Sequence, residues 1–175
     1  MSETNQLRFN TPAMRILENE HRYLTYLMEQ WHAIVRYLDS GVKTAEEGRA
    51  LIFELRGQLE AFKPILAKHT EKEEAYFFPL LGSYIGFEQG PLVGIQEEHK
   101  EIDAYIDHFM HHTETGVEQM SLGQVRAVAR DAGEAFEILT VHFVKEETVL
   151  FPMAEQQIGP GARKRLDQQL NTLIS

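Results

Sequence analysis

Six ionisable residues stand where the surrounding pattern calls for apolar ones: His21, His69, Glu73, His99, His142 and Glu146. Each falls in a series of apolar residues recurring at alternating steps of three and four. That spacing marks the inner stripe of helices packed at small angles. An isolated imidazole or carboxylate in such a core costs free energy on the order of the whole stability margin. Gathered around cations, the same groups become stabilising, because the metal supplies the missing charge and takes up the lone pairs. The competing explanation is two salt-bridged core pairs, His69 with Glu73 and His142 with Glu146. Buried ion pairs stabilise poorly, so coordination is the stronger reading.

The chain repeats this chemistry. His69-Thr-Glu-Lys-Glu73-Glu74, followed by Phe78-Pro79, matches His142-Phe-Val-Lys-Glu146-Glu147, followed by Phe151-Pro152. Glu20-His21-Arg22 likewise matches Glu98-His99-Lys100. Two helical hairpins related by a pseudo-twofold axis follow from this. Each gives a single His from its first helix and His-x-x-x-Glu from its second, and i and i+4 share one helix face.

Helices must carry these residues. Thr11-Pro12 is a start signal, with a capping hydroxyl and Pro at the first helical position, and predicts a helix to about Asp39 before Gly41. Thr44 with Glu47 reads as a capping box opening a second helix to about Leu81, with Pro64 bending it. A main loop is expected over Gly82–Gly90. Pro91 opens a third helix ending near Gly116, and Ser121 with Gln124 a fourth ending near Glu155. Gly159-Pro160-Gly161 separates a short C-terminal helix. No segment alternates apolar and polar at period two, so strands are not expected.

The predicted seams are Met14, Leu17, His21, Leu24, Met28, Trp31, Val35, Leu38; then Leu55, Leu59, Phe62, Leu66, His69, Glu73, Tyr76, Leu80. The third is Leu92, Ile95, His99, Ile102, Ile106, Phe109. The fourth is Val125, Val128, Ala132, Ala135, Leu139, His142, Glu146, Val149, Met153. Short connections make neighbours antiparallel, giving an all-α, up-down-up-down four-helix bundle with a short C-terminal helix. At about 1.5 Å of rise per residue, all six ionisable residues lie roughly 12–20 Å from one end of that bundle, in one slab. The expected organisation is a polar N-terminal segment over 1–11, the bundle over 12–155, and a loop with a short helix over 156–175.

Composition removes other chemistries. The chain has 175 residues, no cysteine and a formal net charge of -10. Disulfides, thiolate nucleophiles and thiolate-held clusters are excluded. The acidic balance argues against a phosphate backbone as partner. No run approaches the roughly 18 apolar residues of a membrane span, and the polar N-terminus lacks the order of a secretory signal, so a cytoplasmic protein is expected. Imidazole and carboxylate without sulfur suit iron, manganese or zinc, and a carboxylate-bridged pair with mostly His termini favours iron. If Glu73 and Glu146 both bridge, each metal receives two carboxylate oxygens and two His. A solvent-derived oxygen bridge would leave an octahedral ion one open position, suited to O2, NO or peroxide.

These residues resemble those of the hemerythrin-like family, the HHE cation-binding domain, over about residues 12–155. The paired H-x-x-x-E elements followed by F-P, with His21 and His99 on the alternate helices, carry the resemblance. It implies two iron ions with a bridging oxygen, in a protein that binds or reacts with a small ligand in sensing, storage or stress response. Iron donation to a protein acceptor, for repair of damaged iron–sulfur clusters, and a peroxidase-like activity are the alternatives it leaves open. Hemerythrins proper use five His and two carboxylates, whereas this seam offers four His and two Glu. Asp103, beside the seam, is the candidate seventh ligand, and Glu74 and Glu147 are read as flanking groups. A ferritin-like carboxylate site would need Glu-x-x-His twice. Glu18 and His21 have that spacing, but Gln96 stands before His99.

Overall fold

The computed structural model describes residues 6–88 and 90–175. The first five residues of the polar N-terminal segment, and Gln89 of the main loop, lie outside the described residues. The fold is a helical bundle followed by a short C-terminal helix, with no strand among the described residues. Helix α1 spans Pro12–Ser40, α2 Ala45–Lys72, α3 Phe78–Ile85, α4 Pro91–His112, α5 Leu122–Lys145, α6 Phe151–Gln157 and α7 Pro160–Leu170. Two π-helical turns, Glu73–Phe77 and Glu146–Leu150, join α2 to α3 and α5 to α6.

The start signals operate in different ways. Ser121 and Gln124 form the reciprocal capping box: Gln124 N–H donates to Ser121 Oγ at 3.1 Å, and Ser121 N–H donates to Gln124 Oε1 at 2.8 Å. Thr44 caps Glu47 N–H at 3.2 Å, but the Glu47 carboxylate accepts from Tyr37 Oη at 2.6 Å instead of returning to the cap. Thr11 does not cap α1, since its hydroxyl donates to Glu155 at 3.0 Å. The orphan N–H of Ala13 is satisfied by Asp167 of α7 at 2.8 Å. The expected loop start at Gly82 is also corrected, because α3 continues to Ile85. The Phe87 ring packs on the Gly82 backbone where any Cβ would clash. Gly86 then turns the chain at φ 93°.

Two compact units divide the chain. One comprises Met1–Leu24, Ile65–Glu97 and His142–Ser175; the other comprises Thr25–Pro64 and Glu98–Val141. Helices α1, α2, α4 and α5 each contribute residues to both.

The second unit shows the antiparallel order of the four long helices. Pairings between α1 and α5 run in opposite directions: Arg126 Nε donates to Leu38 O, Gly133 faces Val35, and Phe136 stacks on His32 with centroids 3.6 Å apart. Between α2 and α4, Arg56 donates to Met110 O and Thr113 Oγ1 at the end of α4, and Lys63 pairs with Asp107 one turn earlier. Trp31 is its central core residue, edge-on to Phe62 at 5.6 Å and Phe136 at 5.9 Å. His32 packs rather than ligates, and His108, His111 and His112 belong to this unit, with His108 paired to Asp131.

The first unit closes over an apolar cluster including Phe9, Met14, Leu17, Phe77, Phe151 and Leu166. Here the predicted seam is corrected. Tyr76 and Val149 are exposed, at 40% and 41%, while Phe77 and Leu150 are fully buried. The cause is the π turn, which holds one extra residue and rotates everything after it. Phe78 N–H reaches back five residues to Glu73 O, and Phe151 N–H to Glu146 O. The F-P pair explains the widening: Pro79 and Pro152 cannot donate to the carbonyl four residues back, and their rings press against it.

Candidate metal centre

Five of the six candidate residues, His21, His69, Glu73, His142 and Glu146, lie in the first unit. None is more than 2% exposed, and both carboxylates are at 0%. α1 supplies His21, the last turn of α2 supplies His69, and the last turn of α5 supplies His142. Glu73 and Glu146 are each the first residue of a π turn. One ligand atom from each of His21, His69, Glu73 and Glu146 lies within 4.8 Å of the others, and Glu73 is equally close to His142. His99, on α4 in the second unit, is buried at 8%.

The direction of the imidazole rings decides what this cluster can hold. His21 Nδ1–H donates to Glu147 Oε2 at 2.7 Å, and His69 Nδ1–H donates to Glu20 Oε1 at 2.8 Å. In a neutral ring, an Nδ1–H so engaged leaves the lone pair on Nε2. His21 Nε2 lies 3.2 Å from Glu146 Oε1, and His69 Nε2 lies 3.6 Å from Glu73 Oε2. Both nitrogens are buried without a hydrogen-bond partner. His142 Nε2 stands 3.3 Å from the same Glu146 oxygen. Lone pairs of imidazole facing carboxylate oxygens in a dry core repel unless a cation lies among them. The donor set therefore fits a hard-to-borderline metal ion of the iron, manganese or zinc kind.

Burial pushes the His21 pKa below its ordinary value, against the hydrogen bond that the ring donates to Glu147, which raises it; the neighbouring His69 lowers it further. Glu147 moves the other way from what its own burial would produce. Burial raises a carboxyl, yet the His21 hydrogen bond and the Arg8 guanidinium hold Glu147 below the usual range. These shifts favour a neutral His21 ring and an anionic Glu147 that orients it. Phe143 stacks on the His21 ring at 4.1 Å and Phe151 at 5.4 Å, fixing its plane and excluding water.

Glu147, read from sequence as a flanking group, touches His21. Glu74 is exposed beside Gln96. Asp103 is largely exposed and belongs to no ligand cluster among the described residues; partial desolvation of its carboxyl and the nearby Asp107 raise its pKa. Glu18 is buried at 1%, where it accepts the backbone N–H groups of Arg8 at 2.8 Å and Phe9 at 3.3 Å. It anchors the N-terminal segment and is not a ferritin-type ligand. Sequence reasoning missed Glu20 and Lys72. Their signals were present in the repeated Glu-His dipeptide and in the Lys shared by both H-x-x-K-E-E elements.

Helical bundle and buried His/Glu cluster together define a cation-binding protein. Residues 13–154 match the family model described as the Hemerythrin HHE cation binding domain. The chain belongs to this family, and the match covers the bundle and every candidate ligand. No curated protein matches it.

Proposed function

We propose that His21, His69, Glu73, His99, His142 and Glu146 hold two iron ions with a solvent-derived oxygen bridge, within one functional domain over 12–155. The bound ions would take up a small ligand such as O2, NO or peroxide, in sensing, storage or stress response. The observation carrying this reading is the pair of outward Nδ1–H bonds that turns the Nε2 lone pairs of His21 and His69 onto buried carboxylates. Assignment of His99 as the sixth ligand rests on its burial and on its place in the repeat, equivalent to His21. Burial of the cluster, with aromatic rings stacked on His21, favours a diatomic or peroxide over a bulky substrate. No described helix is long and apolar enough to cross a membrane.

Metal analysis with optical spectra of reduced and oxidised protein tests this. The expected result is two irons per chain, with charge-transfer bands that change reversibly on exposure to O2 or NO. Protein that takes up no iron, or binds it with the six ligands replaced by Ala, overturns the centre. Transfer of iron to an apo-cluster acceptor, or rapid peroxide turnover, would instead select the iron-donor or peroxidase-like role.

A further inference from the structure

The buried ammonium of Lys72 sits one layer behind His69, at 5% exposure. Its Nζ donates to Glu20 Oε2, to Leu170 O at 2.8 Å and to Thr172 O. An ammonium has three donors, and all three are used. The other oxygen of Glu20 accepts His69 Nδ1–H at 2.8 Å. A continuous chain therefore runs from the candidate ligand His69 through Glu20 and Lys72 to the backbone after α7. The α7 segment is held separately by Leu166 and Leu170 in the apolar cluster and by Asp167 on Ala13 N–H. This C-terminal segment lies outside the residues matched by the family model.

We propose that Glu20 and Lys72 are positioning residues for the metal centre, and that the segment over 160–175 is the anchor of that relay. The inference rests on the metal-centre reading above. Glu20 fixes the His69 tautomer and ring direction, and Lys72 fixes the free oxygen of Glu20 so that the carboxylate cannot swing away. The Leu170 and Thr172 carbonyls complete the shell of Lys72, without which a buried ammonium would be costly. The Lys of the H-x-x-K-E-E repeat thereby acquires a role, as does the Glu that precedes His21.

The test uses the full chain and Fe(II) alone, by anaerobic competition with a chromophoric chelator. Glu20→Gln and Lys72→Met are each expected to lower Fe(II) affinity about 10–100-fold, the usual effect of removing the partner that orients a ligand His. Lys72→Arg should recover most of the loss. Leu38→Ala is the control, since it opens a cavity in the core of the second unit and leaves the relay and α7 intact. Affinity in Lys72→Met within threefold of wild type overturns the proposal, as does an equal loss in Leu38→Ala. A second readout needs no metal. The His69 Nδ1–H proton, followed by NMR in metal-free protein, should be protected in wild type and exchange rapidly in Glu20→Gln. Wild-type protein that shows this protected proton yet binds no Fe(II) would refute the metal-centre reading while leaving the relay geometry standing. A proton exchanging equally fast in both would refute the relay.

Discussion

Replacing Glu146 by Gln separates the two explanations of the buried cluster most directly. Glu146 Oε1 lies 3.2 Å from His21 Nε2 and 3.3 Å from His142 Nε2, with the side chain at 0% exposure. Were these contacts a salt-bridged core pair, removing the charge would leave a buried imidazolium uncompensated and cost about 3–5 kcal/mol. For a chain of this size, about 2–4 °C of Tm accompanies each kcal/mol. The metal-free variant would then melt roughly 6–20 °C lower on that scale. If the site is built for cations, the metal-free wild type carries the repulsion instead. A neutral amide of the same shape then leaves metal-free stability within about 1 kcal/mol of wild type, the scale of one exchanged hydrogen bond. Loaded protein should behave oppositely. Metal at about 1,000 times its Kd stabilises the wild type by about 4 kcal/mol, equivalent to roughly 8–16 °C, and much of this shift should vanish in Glu146→Gln. Thermal melts of both proteins, with chelator and with Fe(II), read all four states. A large loss in the metal-free variant, with no metal-dependent shift in wild type, would refute the cation reading.

Other outcomes follow from the same structure. Because burial lowers the His21 pKa in the folded protein, the unfolded chain takes up this proton first as pH falls below about 6.5. Metal-free stability should therefore drop as pH falls from 7 to 5, and His21→Gln should flatten urea-denaturation midpoints across that window. Glu147, with its folded pKa depressed, contributes stability that is lost only at lower pH, as the pH falls through its folded value. Gly82→Ala should destabilise by about 1–3 kcal/mol, because its Cβ would strike the Phe87 ring. Gly57→Ala, in α2 with nothing within 4 Å of the added carbon, should stabilise by about 0.5–1 kcal/mol in the same melts. Pro79→Ala restores the missing backbone donor and should favour a regular α turn, re-aiming Glu73. The expected result is a fall in Fe(II) affinity of about tenfold or more, with little change in Tm; unchanged affinity would deny the π turn its positioning role.

Much of this molecule is written in its residue order. The three-and-four spacing of apolar residues is a local property of helices, so the helices and most buried positions, from Met14 to Leu139, could be read without coordinates. The misplaced His and Glu residues were legible for the same reason, since an ionisable group in an apolar stripe violates a rule visible in one dimension. The H-x-x-x-E elements and F-P pairs pointed to the buried His/Glu cluster, but not to the π turns that open with its two carboxylates. A π turn depends on a balance between one displaced hydrogen bond and the packing of Phe77 and Leu150, and that balance is settled by neighbours in space. Glu20 and Lys72 lie 52 residues apart, and Lys72 meets Leu170 across 98. No periodicity connects them. Which carboxylate holds which imidazole is a matter of long-range packing, and that only the tertiary structure decided.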